Sequence, residues 1–290
     1  MEIVALLCIS AASGLYTSLW GAFKDSPYEG FKARTFPRSI YFSLVICLAL
    51  YTVPHLQTTL VRLGYFQVFF LAMGLERFLA ELYKGFFRSE DQTKYFVPSR
   101  ITFFGRHVHS DLLRYAVGVV LVAVVFAALL VPVPVQDFLF FAAVAYGTGL
   151  IVSLGGAYKD APFEGFKPLK FQRSGFVLVA LSPLLYWVND GGNPVTLGLL
   201  VYMNGGLERF CVEYYKTYVQ RNMSGKFRPD LPRQQEAAER REKFHYAALV
   251  LIAALVLVYV IECRDQGAAV PTSETLSVAF PPSSCATMPS

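Results

Sequence analysis

Residues 21–32 read GAFKDSPYEGFK and residues 156–167 read GAYKDAPFEGFK; nine of the twelve positions are identical, and the other three exchange Phe for Tyr or Ser for Ala. A second pair follows in the same order, GLERFLAELYK at 74–84 and GLERFCVEYYK at 206–216, identical at eight of eleven positions. The offsets, 135 and 132 residues, agree closely enough to read the chain as a tandem duplication. Charge, Gly and Pro persist in both copies while the apolar filler has diverged. Such retention marks a chemical or structural site held in two copies.

Between these motifs the chain is apolar. Of its 290 residues, 54% are hydrophobic and 16% charged, and the mean hydropathy is +0.43. Apolar runs lie near 3–22, 38–55, 58–82, 113–133, 137–156, 174–189, 195–216 and 245–262. They have about the 17–25 residues a helix needs to cross a bilayer. Spanning segments must satisfy their own backbone, which makes them helices. The expectation is an all-α integral membrane protein with about eight transmembrane helices in two tandem parallel four-helix repeats. The repeats occupy 1–133 and 134–263, and a disordered tail, rich in Pro, Ser, Thr and Ala, fills 264–290. The first run has only Glu2 ahead of it, and its counterpart at 137–156 lies in mid-chain. It therefore reads as a retained helix rather than a signal peptide.

An even number of spans per repeat gives both copies the same orientation, related by a pseudo-two-fold axis along the membrane normal. Of the 26 Lys and Arg, 22 fall in or beside the loops after the first, third, fifth and seventh spans. Only Arg62 and Arg264 lie toward the other face, while Arg77 and Arg209 sit inside spans. The positive-inside rule then predicts a multi-pass protein of the cytoplasmic (inner) membrane, with the motif-bearing loops inside and both termini outside. The formal charge of +5 reads as topology and attraction to anionic headgroups, with no nucleic-acid partner. The five cysteines show no metal-ligand spacing, so no metal is expected, and nothing names a cofactor. Oligomeric state is not legible.

The loop motif, Lys24-Asp25-Ser26-Pro27-Tyr28-Glu29-Gly30-Phe31-Lys32, has turn chemistry: Pro fixes φ, Asp caps its own backbone and Gly admits positive φ. A stiff turn anchored by Tyr28 and Phe31 is one reading. A turn alone does not require Lys24, Asp25, Glu29 and Lys32 together with Lys159, Asp160, Glu164 and Lys167. Arg38-Ser39 and Arg173-Ser174 also repeat, and their Arg could snorkel to headgroups or clamp a phosphate.

The second motif puts Glu76, Arg77 and Glu81, and likewise Glu208, Arg209 and Glu213, inside apolar helices. Glu76 is eight residues before Lys84, about 12 Å along the axis. Arg77, Glu81 and Lys84 follow i, i+4, i+7 spacing and form one stripe; Arg209, Glu213 and Lys216 repeat it. Glu76 and Glu208 project about 100° away with no intrahelical partner. One reading is a charge zipper between helices. The other is a polar cavity in which Arg and Lys hold an anionic headgroup and a carboxylate acts as base. Glu76, Glu208, Asp25 and Asp160 are the catalytic candidates. The substrate-binding candidates are Lys24, Glu29, Lys32, Arg38, Arg77, Glu81 and Lys84, with Lys159, Glu164, Lys167, Arg173, Arg209, Glu213 and Lys216. His107 and His109 read as interfacial histidines.

The segment GLERFLAELYKGFFRSEDQ, through Gly74, Arg77, Phe78, Glu81, Lys84 and Asp91-Gln92, resembles part of the prolipoprotein diacylglyceryl transferases. That family carries a Gly-x-x-Arg-Phe-x-x-Glu-Phe-x-Arg pattern, and Lys84 stands where it has Arg. Tyr28-Glu29 is reminiscent of its upstream Tyr-Glu pair. The resemblance implies that Arg77, and Arg209 as its twin, handle a phosphatidylglycerol-like lipid. It covers about twenty residues well; the family's His-Gly-Gly signature is absent and its active site faces the outer side. Three functions remain open: a transferase acting on a phospholipid or other phosphorylated amphiphile, a transporter with a pathway between the repeats, and an assembly subunit. Membrane lipid, or an anionic amphiphile, is the expected partner.

Overall fold

The computed structural model describes residues 2–29, 31–90, 100–103, 106–133, 137–165, 168–188, 195–221 and 241–269. Among them are nine α-helices: α1 (Ile3–Glu29), α2 (Arg38–Tyr51), α3 (Pro54–Arg62), α4 (Tyr65–Leu82), α5 (Asp111–Ala128), α6 (Phe138–Glu164), α7 (Pro168–Tyr186), α8 (Leu197–Tyr214) and α9 (Glu242–Ala269). Two antiparallel pairs of two-residue strands accompany them. β1 (Thr102–Phe103) pairs with β2 (Arg106–His107), and β3 (Pro132–Val133) with β4 (Val195–Thr196).

Among the described residues, four stretches are long and apolar enough to cross a membrane: Ile3–Asp25, Asp111–Ala128, Phe138–Ala157 and Glu242–Asp265. The bent pair α2–α3 makes a fifth if it is one broken span. A multi-pass membrane protein follows. The runs at 38–55 and 58–82 do not form two continuous helices as expected. They form three, with α2 and α3 meeting at 112°. Pro54 is the cause. It has no N–H to donate and its ring is tolerated in the first helical turn, so α3 starts on it. Leu56 and Leu60, one turn apart on α3, are both buried.

The duplicated loop motif is not a turn. α1 runs through Lys24 and Asp25 to Glu29, and α6 runs through Lys159 and Asp160 to Glu164. In the second copy the motif glycine terminates the helix instead: Gly165, at φ 75°, takes the left-handed position after the last helical residue, where a Cβ is penalised. At the far end of the chain, helix α9 continues to Ala269, past the expected start of the tail at 264. The remainder of that tail lies outside the described residues.

The centre of the molecule is the crossing of α4 and α8, where the two copies of GLER meet. A Cβ on Gly74 would lie 2.0 Å from the Tyr202 carbonyl oxygen, and one on Gly206 would lie 1.9 Å from that of Phe70. The two backbones therefore touch at their motif glycines, the close approach that small residues permit between apolar helices. Phe66 through Glu76 of α4 are buried without interruption. Similar contacts join α1 to α2 and α6 to α7, since a Cβ on Gly14 would meet Ser39 O at 2.6 Å and one on Gly149 would meet Gly175 Cα at 2.5 Å. Phe69, Phe70 and Phe210 pack edge to face around the crossing, and Tyr16 of α1 stacks on Phe210 at 4.5 Å.

Each central helix has its first turn satisfied from a distant segment. The Glu262 carboxylate of α9 accepts from the Tyr65 and Phe66 amides of α4, the latter at 3.1 Å. At α8, Thr196 Oγ1 accepts from Leu199 N at 3.3 Å, and the Val131 carbonyl accepts from Leu197 N at 2.8 Å. Glu262→Ala leaves two orphan donors at a dipole N-terminus and should cost about 1–2 kcal/mol. The check is a lowered melting midpoint in detergent, with Glu262→Gln recovering part of the loss. At their other ends α4 and α8 both pass into five-residue π-helical turns, Tyr83–Phe87 and Tyr215–Val219. Such turns recur at functional sites.

Candidate functional site

The charged motif residues gather at the end of the molecule where α4 and α8 enter their π-turns. The helical stripes form as their spacing requires. Arg77 Nη2 lies 2.8 Å and Lys84 Nζ 2.9 Å from Glu81 Oε1, and Arg209 Nη1 lies 2.8 Å from Glu213 Oε1. Lys24 of α1 makes its ion pair with Glu213 Oε2 of α8, at 3.2 Å, and shares the face of Trp20 with Arg77. α1 thus reaches across to the second half, and Glu213 is clamped between Arg209 and Lys24 in a buried position.

Trp20, one turn before Lys24, organises the cluster. Its ring centroid is 5.0 Å from Arg77 Cζ, 5.4 Å from Lys24 Nζ and 5.6 Å from Arg209 Cζ. Three cations on one indole is an arrangement in which the ring quadrupole partly offsets their mutual repulsion. Arg77 Nε and Arg209 Nε are buried with no acceptor among the described residues, a property they share with Arg100 and Arg114 elsewhere in the chain. Unsatisfied donors of this kind, on charged groups, are the places where an acceptor is wanted.

Glu76 and Glu208 lie behind this cluster, both buried. A step of two residues along a helix turns about 200°, so each points away from the glycine that touches the opposite helix. Each finds a serine of its own half: Ser39 Oγ donates to Glu76 Oε1 at 2.9 Å, and Ser174 Oγ donates to Glu208 Oε1 at 2.6 Å. The other oxygen, Oε2, of each is buried and accepts nothing. The repeated Arg-Ser dipeptides are therefore informative for their serines. Arg38 and Arg173 themselves are exposed.

The remaining candidates are peripheral or undescribed. Asp25 is half-buried beside Lys24, Lys32 is exposed beyond the end of α1, and Lys216 is half-buried on the second π-turn. The side chains of Glu29, Lys159, Asp160 and Glu164, and the whole of Lys167, Asp91 and Gln92, lie outside the described residues. His109 is exposed. Among the described residues no group of three His, Cys, Asp or Glu could hold a metal ion.

Sequence reasoning missed Trp20, because repeat logic looks for pairs and Gly155 stands at the corresponding position of the second half. It also missed a hydrogen-bonded chain beside the cluster. His245 Nδ1 lies 3.2 Å from Glu242 Oε2 and Nε2 lies 3.2 Å from Tyr214 Oη, with the ring stacked on Tyr218 at 4.5 Å. In the first half the equivalent i, i+3 pair is Asp111 and Arg114, at 2.8 Å. Comparison with protein-family models, with characterised proteins and with solved structures finds no match, so the site is interpreted from its own geometry.

Proposed function

We propose that the chain is a polytopic membrane transferase that acts on a phospholipid, or another amphiphile with a phosphorylated headgroup, at the Trp20 cluster. The observation that carries this reading is the convergence of three cations, Arg77, Lys24 and Arg209, on the one ring of Trp20. In this account Arg77, Arg209 and Lys24 bind the phosphate. Glu76 or Glu208 takes the proton from the acceptor's hydroxyl or thiol as its oxygen or sulfur bonds to the carbon of the phosphate ester; that carbon's bond to the phosphate oxygen breaks, and the phosphate-bearing fragment leaves as an anion held by the cations. The resemblance of 74–92 to the prolipoprotein diacylglyceryl transferases, in which the Arg of the motif handles phosphatidylglycerol, supports the substrate class.

The finer architecture belongs to the same proposal. Eight spans in two tandem parallel four-helix repeats, with α3 as a lateral elbow, place all four motif copies on the cytoplasmic side and both termini outside. Equivalent contacts in the two halves favour it: Ser39 with Glu76 and Ser174 with Glu208, Gly14 at α2 and Gly149 at α7, Gly74 with Gly206. The transporter reading asks for carboxylates converging on a central pathway. Helices that touch backbone to backbone at Gly74 and Gly206 leave no room for such a pathway at their crossing.

The test compares lipid extracts of membranes carrying the wild-type chain and the Glu76→Gln/Glu208→Gln variant. The variant should fold and extract normally yet lose the phospholipid conversion product. A product unchanged in amount per folded molecule would remove the carboxylates from the chemistry.

A further inference from the structure

A third repeated segment contributes only its serine to the site. Residues 31–39 read FKARTFPRS and residues 166–174 read FKPLKFQRS, identical at five of nine positions. Each copy holds three cations and no carboxylate, and Phe31 and Phe36 return as Phe166 and Phe171 although most of the apolar filler has diverged. The retained serines serve Glu76 and Glu208. The rings and cations of the first copy serve neither.

That copy folds into a tight turn. The amides of Thr35 and Phe36 both donate to the Lys32 carbonyl at 3.1 Å, and the Arg38 amide donates to that of Thr35 at 3.2 Å. The turn carries Phe36 to 5.7 Å from Phe31, ring to ring. A third ring arrives from the first turn of α9: Phe244 lies 5.7 Å from Phe31 and 6.4 Å from Phe36. Phe244 is the third residue of the span Glu242–Asp265, about 3 Å along the helix from its end. The three rings therefore sit at the boundary between hydrocarbon and headgroups, where aromatic side chains are favoured. Phe31 is 53% exposed, so the ring cluster keeps an open face.

Four cations flank the rings. Lys32, Arg34, Arg38 and Lys243 are all exposed, and none has an ion pair among the described residues. Lys243 Nζ stands 5.6 Å from the Phe244 ring centroid. The carboxylate beside it, Glu242, is taken by Arg221 at 2.6 Å and by His245 at 3.2 Å. Before Phe31 the first carboxylate with a described side chain is Asp25, half-buried on α1.

We propose that this patch of three rings and four cations binds the headgroups of anionic phospholipids in the leaflet it faces. The rings lie at the level of the glycerol backbones and the cations meet the phosphates, as their long side chains allow. Charge alone would also suit an acidic protein. Rings at the depth of the first α9 turn are reached by lipid and not by a partner standing off the membrane, and they select the lipid. The patch is separate from the Trp20 cluster and uses none of its residues.

The test removes the charge and leaves the rings. Lys32→Gln/Arg34→Gln/Arg38→Gln/Lys243→Gln changes exposed side chains only, and Lys32→Arg/Lys243→Arg keeps the charge as a control. An exposed patch exchanges its lipids freely, so it is read by adding lipid rather than by what survives purification. Each protein, monodisperse in detergent, is titrated with phosphatidylglycerol and separately with phosphatidylcholine, and bound lipid is counted by native mass spectrometry. Wild type and the Arg control should prefer phosphatidylglycerol, and the Gln variant should lose at least about tenfold in affinity for it, given what each cation contributes at an anionic surface. Unchanged phosphatidylglycerol binding by the Gln variant overturns the patch, as does equal binding of the two lipids by wild type. Arg77→Met, run alongside, separates the two sites. Loss in Arg77→Met with none in the Gln variant keeps the cluster and overturns the patch; loss in the Gln variant with none in Arg77→Met keeps the patch and overturns the cluster.

Discussion

Gly74→Val and Gly206→Val should each abolish the folded protein. The added branched side chain would point at a carbonyl carbon and oxygen of the neighbouring helix, with Cβ–O separations of 2.0 and 1.9 Å. No rotamer change relieves a contact between Cβ and backbone, so α4 and α8 must separate. That separation opens the packing of Phe69, Phe70, Met73, Leu199, Met203 and Leu207, all buried. The cost exceeds the ~1–3 kcal/mol of ordinary overpacking and takes much of the roughly 5–15 kcal/mol that holds a typical protein folded. Detergent extracts run on size exclusion should show loss of the monodisperse peak for both variants. Gly21→Val, whose Cβ meets nothing within 4 Å, should leave it intact.

The second large effect concerns Glu213. Arg209→Met leaves a buried carboxylate with Lys24 as its one remaining ion pair among the described residues, and breaking a buried pair on one side costs about 3–5 kcal/mol. Adding Glu213→Gln removes the stranded charge and should restore most of the lost melting temperature. Arg77→Met is the informative comparison. Its partner Glu81 is 44% exposed and is also held by Lys84, so water screens the residual charge and the cost is about 1 kcal/mol or less. Two arginines at equivalent sequence positions therefore differ several-fold in their weight on stability. A pair of equal thermal shifts would contradict the difference in burial between Glu213 and Glu81.

Much of this was readable from the chain, and the misreadings have physical causes. Helical spacing alone gave the Arg77–Glu81–Lys84 and Arg209–Glu213 stripes, because partners within two turns are fixed by the helix itself. The isolation of Glu76 and Glu208 within their own helices was also legible. Their partners were not: Ser39 and Ser174 arrive on other helices, and the adjacent Arg38 and Arg173 drew attention by charge although both are exposed. Lys24 pairs with a residue 189 positions away, a contact that periodicity cannot report. Trp20 was invisible for the opposite reason, since it occurs once in a chain read for what occurs twice. Pro54 was a visible helix breaker inside a run whose apolar composition outweighed it. The loop motif misled because Asp, Pro and Gly suit both a turn and a helix end.

The central claim is that the cations around Trp20 hold the phosphate of a membrane lipid. Native mass spectrometry of the protein purified from its own membrane tests it most directly, comparing wild type with Arg77→Met, the one of the two arginines over Trp20 whose removal costs the fold less. The account predicts that wild-type protein carries a phosphorylated lipid and that Arg77→Met, equally folded, has lost it. A wild-type chain without bound phosphorylated lipid, or an Arg77→Met chain that keeps it undiminished, would contradict the account.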